Sequence, residues 1–392
     1  MATRLHVGVN GVLPGGVIGI LGGGQLGRMI AIPARQMGFG VAVLTPEGDS
    51  PAGGLADHIF RASFDDLDAA RRLAAVSDVV TYEFENVPAA TASAVETMGK
   101  LRPSAELLRL TQDRNVEHDF LHSLGISTAA GVRLSTASEL DGALHQLGLP
   151  ARLKSALGGY DGGGQIRLFD NASVEDARTA IPGAIGGWRL EAEVNFEREI
   201  SVVLARGADG RIEAYPPFEN VHKGGILHVS TWPAKGSPKA LTRAVEAASS
   251  IAESVQLVGV MCTEFFVIGD DVIVNELAPR VHNSGHLTIE GANVSQFEQH
   301  VRAVCGLPLV SPMVRVGGVA MVNLLGTHER RRVRVRGAEI ALAEPGVALH
   351  VYGKERERPR RKMGHVTVCA DTPEEARSQA LFFADRLRFV AA

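Results

Sequence analysis

Cysteine is scarce in this 392-residue chain: Cys262, Cys305 and Cys369 stand far apart in apolar surroundings (VMCTE, AVCGL, VTVCA). So few and so scattered, they exclude a disulfide framework and a thiolate zinc site, and read as buried reduced thiols of a cytoplasmic protein. No apolar run approaches the ~18 residues that a membrane helix needs. The N-terminal stretch, interrupted by Asn10, Pro14 and repeated glycine, is a poor signal peptide. Neither sign of charge dominates. A formal net charge of −4 excludes a general nucleic-acid binder and makes any basic cluster a local feature. Internal repeats and low-complexity tracts are absent. What remains is 45% hydrophobic and 21% charged, a soluble globular composition with a sizeable core. The length predicts two or three domains. Glycine, with 44 residues, points to many tight turns and close backbone approaches.

The most informative stretch is Glu264 to His286, EFFVIGDDVIVNELAPRVHNSGH. Val260 to Ile268 and Val272 to Leu277 are rich in β-branched and aromatic residues. Between them, Gly269-Asp270-Asp271 predicts a hairpin with a three-residue loop. If Ile268 faces Val272, counting back two by two sets Glu264 across from Glu276. Like charges in that position repel, with Cβ atoms only ~5 Å apart. A cation between them would remove the repulsion, and oxygen-only ligands suit Mg²⁺ shared between carboxylates and phosphates. The alternative is that one glutamate lies beyond the paired region and both are simply solvated. Asn275, Arg280, His282, Asn283 and His286 crowd the following loop, more polar groups than a structural connection requires.

Taken in order, residues 1–16 read as an irregular extension. Val17 to Leu21 is a buried strand, followed by Gly22-Gly23-Gly24-Gln25-Leu26-Gly27 and a helix from near Arg28. This G-x-G-x-x-G setting places phosphate at a helix N-terminus. Glu47 and Asp49, about 20 residues on and after a second strand at Val41 to Leu44, stand where a dinucleotide fold puts its ribose acid. NAD binding is one reading; glycines serving close packing or a small ligand are the other. A third strand, Asp78 to Tyr82, ends in Glu83-Phe84-Glu85-Asn86, where ligands bind on such sheets. A helix at Asp113 to Leu124 precedes strands Ala151 to Lys154 and Gln165 to Phe169, which flank the loop Ser155 to Gly164. With strands on both sides it is no Walker loop, but it can fold over a triphosphate with Lys154 as a point charge. After a linker near Pro182 to Gly187, the strand end Glu191 to Val194 could meet an adenine edge through backbone groups, and Glu199 leads another strand. Helices follow at Ala240 to Val255 and Val294 to Val304. Beyond Pro312 a small separate domain is expected, with strands Gly318 to Leu324, Val347 to Val351 and His365 to Cys369. The run Lys354 to Lys362 (KERERPRRK) is either a solvated loop or a grip on a phosphate monoester.

Four stretches occurring in order, Gly24-Gln25-Leu26-Gly27-Arg28-Met29, Gly158-Gly159-Tyr160-Asp161-Gly162, Asn275 through His286 (NELAPRVHNSGH) and Arg361-Lys362-Met363-Gly364-His365, closely resemble 5-(carboxyamino)imidazole ribonucleotide synthase. That family comprises ATP-grasp enzymes of purine biosynthesis, and the resemblance runs from about Val17 to the C-terminus. It implies a mixed α/β and α+β fold. The parts would be an extension (1–16), a Rossmann-like pre-ATP-grasp domain (17–112), a two-lobed ATP-grasp domain (113–310) and a small C-terminal domain (311–392). It implies that ATP phosphorylates bicarbonate to carboxyphosphate, whose CO₂ passes to the exocyclic amine of 5-aminoimidazole ribonucleotide.

Carried over by motif, the resemblance places ATP against Arg114, Lys154, the loop Gly159, Tyr160, Asp161, Gly162, Gly163, Gly164 and Gln165, and the strand end Glu191, Ala192, Glu193 and Val194. Glu199, His222, Asn275 and Glu276 would complete the nucleotide site. Glu264 and Glu276 would hold Mg²⁺ or Mn²⁺. Glu83, Tyr160, Asp161, Lys354 and Arg361 would contact the ribonucleotide, the last two at its phosphate. Arg280, Asp161 and His282 are the catalytic candidates, with Asp161 or His282 as the base. The partners implied are small molecules and a second copy in a cytoplasmic homodimer, with no nucleic acid or membrane. Three departures stand out: Gly163 where many members have Arg, Arg360 where many have Gly, and Leu287 where some have Trp. None removes a metal ligand, so an active enzyme is expected. The rivals are another ATP-grasp ligase (a formate-using transformylase or a biotin carboxylase), a nucleotide-binding regulator without turnover, and an NAD-dependent oxidoreductase.

Overall fold

The computed structural model describes residues 11–158, 163–181 and 186–392. Its first unit is a parallel sheet ordered His58–Arg61, Gly40–Thr45, Val17–Leu21, Val79–Tyr82. The inner strands are almost continuously apolar because both faces are covered. Ile18, Ile20, Val41 and Val43 pack toward the helix Gln25–Gln36, while Leu21, Ala42 and Leu44 pack toward Leu67–Val76 and the helices beyond it. The first helix begins at Gln25, three residues ahead of the expected start. Residues 11–16 are irregular but tied down, Val12 N–H donating to Cys305 O (2.8 Å) and Gly15 N–H to Gly38 O (2.9 Å).

A second, four-stranded antiparallel sheet is ordered Gly131–Leu134, Trp188–Ala192, Ala151–Ser155, Gln165–Leu168. Leu153, Leu168 and Leu190 from its strands share a small core with residues of the helices Leu140–Leu147 and Asn171–Ala180. The largest sheet has nine strands. It starts with the hairpin Asp271–Ala278 and Gly259–Ile268, then runs through Arg198–Arg206, Phe218–Lys223 and Ile226–Trp232. The strands Gly318–Leu325, Lys362–Ala370 and Val347–Val351 continue it, and Ile212–Ala214 pairs to one side with Arg198–Arg206. The C-terminal strands lie close to their expected positions and join the same sheet: Ile226–Trp232 is hydrogen-bonded to Gly318–Leu325. One sheet therefore spans the central and C-terminal parts of the chain.

Several helices begin at a side-chain cap. Asp113 accepts Asn115 N–H (2.8 Å) ahead of Arg114–Ser123. Ser237 caps Pro238–Ser254, and Ser295 caps Gln296–Cys305, which closes on Gly306 at φ 69°. This last helix packs on Gln25–Gln36, so the first sheet and the largest one share a core.

Candidate active site

The hairpin turns on two residues, Gly269 and Asp270, with Ile268 facing Asp271. That is one residue tighter than the expected loop and would set Glu264 against Asn275. A bulge restores the pair: Phe265 faces Val274, then Glu264 faces Glu276, leaving Asn275 as the extra residue. The bulge is held from outside the hairpin. Arg114 Nη2–H donates to Asn275 O (3.0 Å), and Lys154 Nζ–H lies 3.4 Å from Asn275 Oδ1. Glu264 is buried, and burial with the neighbouring Glu276 charge pushes its carboxyl up to about 7. Among the described residues no three His, Cys, Asp or Glu form a metal cage. The two facing carboxylates nevertheless fit a cation completed by phosphate oxygens, because only added positive charge or a proton relieves their repulsion.

On one side of the pair lies a buried ion cluster. Glu191 accepts from Arg114 Nε (2.7 Å) and Lys154 Nζ (2.8 Å), with His118 Nε2 at 3.2 Å and Arg189 Nε at 3.6 Å. Burial opposes its charge, yet Lys154 and Arg114 hold the carboxyl well below the usual carboxylate range. Burial, with Arg114 nearby, brings Lys154 down to about 8. Glu117, pushed up to about 8 by burial, accepts Leu277 N–H (2.6 Å) and fastens the helix to the strand that carries Glu276. Glu117, His118 and Arg189 were missed by sequence reasoning. The first two lie three and four residues after Arg114 on a helix, a spacing that would have placed them on one face. His222 pairs with Glu199; burial alone would lower it, but Glu199 holds it up at about 9. Glu193 is taken by Arg152 (3.1 Å) and Arg167 (2.8 Å), and its N–H by Pro150 O (3.1 Å). Ala192 N–H donates to Ala130 O (2.9 Å), so the expected adenine contact narrows to Val194 and the carbonyls. Gly163 and Gly164 form the turn that leads into Gln165, which pairs opposite Lys154, with Gly164 O accepting Ser155 N–H. Gly159, Tyr160, Asp161 and Gly162 lie outside the described residues, as do 182–185 of the expected linker.

On the other side His282 Nε2 approaches Glu264 at 3.4 Å. Its Nδ1 lies 2.8 Å from Ser284 Oγ and accepts Ser284 N–H (3.3 Å). Ser201 Oγ–H donates to Ser284 Oγ, Asn220 donates to Ser201, and Ser230 donates to Asn220. This chain makes Nδ1 the acceptor and puts the imidazole proton on Nε2, facing Glu264. Burial, with Arg280 and Lys362, holds His282 well below its usual value, so the ring is neutral. As a base His282 would first have to pass that proton on; in this arrangement it offers a proton. Arg280 is buried and donates to Glu85, which it keeps ionised although burial alone would raise that carboxyl.

Beyond Arg280 opens a cavity of about 330 Å³ lined by Gly24, Gln25, Glu47, Glu83, Phe84 and Arg280, among others. The glycine loop at its floor is already filled. Glu83 accepts Gly24 N–H and Gly27 N–H (2.6 Å), and a Cβ on Gly22 or Gly24 would strike its carboxyl. The anion site of this helix N-terminus belongs to the chain's own carboxylate, which displaces the dinucleotide reading. Lys354 and Arg361, from the far end of the chain, reach residues of its lining rather than lining it themselves: Lys354 Nζ meets Gln25 Oε1 (2.7 Å), and Arg361 faces Glu47 (3.7 Å) while its Nη1 meets Asp49 (3.2 Å).

The facing carboxylates on an antiparallel sheet, flanked by a cationic cluster from a second sheet, define an ATP-grasp ligase, and the ATP-grasp domain model matches residues 119–297. The ribonucleotide synthetase preATP-grasp domain matches 16–112, and the phosphoribosylaminoimidazole carboxylase C-terminal domain matches 319–379. N5-carboxyaminoimidazole ribonucleotide synthase of Bacillus subtilis is 41% identical over 365 residues, covering 93% of this chain and 94% of the relative. The Thermus thermophilus synthetase structure superposes with a TM-score of 0.85 at 40% identity, over 94% and 98% of the two chains. The Aspergillus clavatus synthase, solved with ADP and 5-aminoimidazole ribonucleotide, gives 0.86 at 32% identity over 95% and 99%. The chain belongs to the N5-carboxyaminoimidazole ribonucleotide synthase family.

Proposed function

We infer that this chain uses ATP and bicarbonate to carboxylate the exocyclic amine of 5-aminoimidazole ribonucleotide, forming the N5-carboxyamino product, ADP and phosphate in purine biosynthesis. The observation that carries this reading is the bulged hairpin: Glu264 and Glu276 stand between a cationic nucleotide face and the Arg280 cavity. ATP and Mg²⁺ (or Mn²⁺) are assigned to Arg114, Lys154, Glu191, Val194, Glu199, His222, Asn275, Glu264 and Glu276. Glu264 and Glu276 would hold the metal, which would supply positive charge against the phosphates. Glu191 keeps Lys154 cationic despite burial, so its charge is already in place when bicarbonate attacks the γ-phosphate. Carboxyphosphate must then be shielded from water, and Arg280, fixed by Glu85, presents a buried cation toward the substrate cavity. Because His282 holds its proton on Nε2, Asp161 is the base we assign to the acceptor amine. Among the described residues no helix is long and apolar enough to cross a membrane. A cytoplasmic homodimer completes the proposal.

ADP release should depend on bicarbonate and rise strongly on adding 5-aminoimidazole ribonucleotide. Turnover that answers instead to formate plus glycinamide ribonucleotide assigns the chain to the transformylase reaction.

A further inference from the structure

Glu47 and Asp49, the two acids at the dinucleotide position, take no part in the chemistry above, yet both face the basic loop from the other end of the chain. Asp49 accepts Glu355 N–H (2.8 Å), Arg356 N–H (3.3 Å) and Arg361 Nη1–H (3.2 Å). Two of these three donors are backbone groups, so Asp49 fixes the path of the loop as well as one side chain. Arg361 Nη1 also donates to Arg356 O (2.6 Å), which engages that edge of the guanidinium fully. Its Nη2 faces Glu47 at 3.7 Å, an ion pair beyond hydrogen-bond length. The Glu47 side chain is 58% exposed and lines the cavity. An exposed, loosely held carboxylate is worth little to its partner, whereas a phosphate dianion can take the free edge of an arginine in two hydrogen bonds.

We propose that Asp49 and Glu47 act in opposite senses on one phosphate subsite. Asp49 is a positioning residue that holds the 354–361 loop and one edge of Arg361, and Glu47 is an exchangeable counter-ion that the ribonucleotide phosphate displaces from the other edge. This rests on the reading that Lys354 and Arg361 take that phosphate.

The test is steady-state kinetics at saturating ATP and bicarbonate, with 5-aminoimidazole ribonucleotide varied, for Asp49→Asn, Glu47→Gln and Arg361→Ala. Asp49→Asn should raise the ribonucleotide KM about tenfold, the size of one lost charge-assisted hydrogen bond, with kcat and the ATP KM changed less than about twofold. Glu47→Gln should lower that KM by about twofold, as expected for a weak exposed pair. The inhibition constant of the phosphate-free 5-aminoimidazole riboside should be the same in wild type and Asp49→Asn. A KM that falls in Asp49→Asn, or a riboside that weakens in parallel, overturns the positioning role. A KM that rises in Glu47→Gln overturns the counter-ion role. Should Arg361→Ala leave KM untouched, the phosphate reading itself falls. Should Arg361→Ala raise it while Asp49→Asn does not, only the present proposal falls.

Discussion

Glu191 on the proposed nucleotide side and Glu47 on the proposed substrate side both face arginine, at 3% and 58% side-chain exposure respectively. Around Glu191 the charges are buried, gathered on one carboxylate and contributed by elements of one central region. Around Glu47 the carboxylate itself is largely in water while Arg361 and Asp49 are part-buried, and the charges come from opposite ends of the chain, Arg361 lying 312 residues from Asp49. A buried ion cluster costs desolvation on every member and is stable only while complete. An arginine edge met only by an exposed carboxylate can exchange one anion for another at small cost. The first arrangement suits a triphosphate whose charge must be met by groups already in place. The second suits a monophosphate that enters and leaves an open cavity.

Removing one member from each face tests this contrast at its widest. Glu191→Ala leaves Arg114, Lys154 and Arg189 facing one another and should cost about 3–5 kcal/mol in urea unfolding of the nucleotide-free protein. Glu47→Ala should stay within ~0.5 kcal/mol of wild type. Equal losses would mean that the two faces are held alike.

Glu264→Gln sharpens the comparison at the boundary between the faces. It keeps the hairpin's shape and removes the charge of a proposed metal ligand, so ATP turnover should fall on the order of 10²–10³-fold, the range seen when one electrostatic stabiliser is lost. Its effect on stability has the opposite sign. Burial and Glu276 raise this carboxyl from 4.5 to about 7 in the folded state, so the native protein binds the proton more tightly than the unfolded chain does. The stability this contributes is complete below pH 4.5, is lost as pH rises through 7, and is absent above. Without divalent metal, the variant should therefore match wild type at low pH and exceed it at pH 8 in thermal midpoint. A variant less stable at both pH values would show that the carboxylates do not repel.

The pairing of Glu264 with Glu276 was legible, but through two compensating departures. The loop is one residue shorter than Gly269-Asp270-Asp271 suggested, and the bulge at Asn275 adds the residue back. Alternation and turn residues reveal a hairpin; nothing local reveals a bulge held by Arg114, 161 residues away. Glu83 could be read as an acid at a strand end, where ligands bind. That it fills the glycine loop depends on a contact across 59 residues. The continuity of the largest sheet was hidden for the same reason, because an edge strand does not declare its partner. Motif resemblance supplied Lys354 and Arg361, which composition alone could not separate from a solvated loop.

The smallest predicted effect concerns Arg360, where many relatives of this kind were expected to carry glycine. Its φ is +68°, so the turn has kept a left-handed conformation with an arginine in it. For a residue with a Cβ that conformation costs roughly 1–2 kcal/mol. The turn is fixed on both sides: Arg360 N–H donates to Gly326 O (2.9 Å) and Arg361 N–H to Arg358 O (3.1 Å). The side chain adds one contact, Arg360 Nη2–H to Gly224 O (2.9 Å) at the surface. Arg360→Gly relieves the strain but loses that contact and gives the unfolded chain more freedom. Arg360→Ala loses the contact and keeps the strain. The glycine variant should accordingly be more stable than the alanine variant by about 0.5–1 kcal/mol in urea unfolding, with the ribonucleotide KM nearly equal in both. If alanine proves the more stable, the left-handed turn is not what this loop is built on. The 354–361 segment would then be free to take another path over the cavity, and the contrast between a fixed nucleotide face and an adjustable substrate face would extend from side chains to backbone.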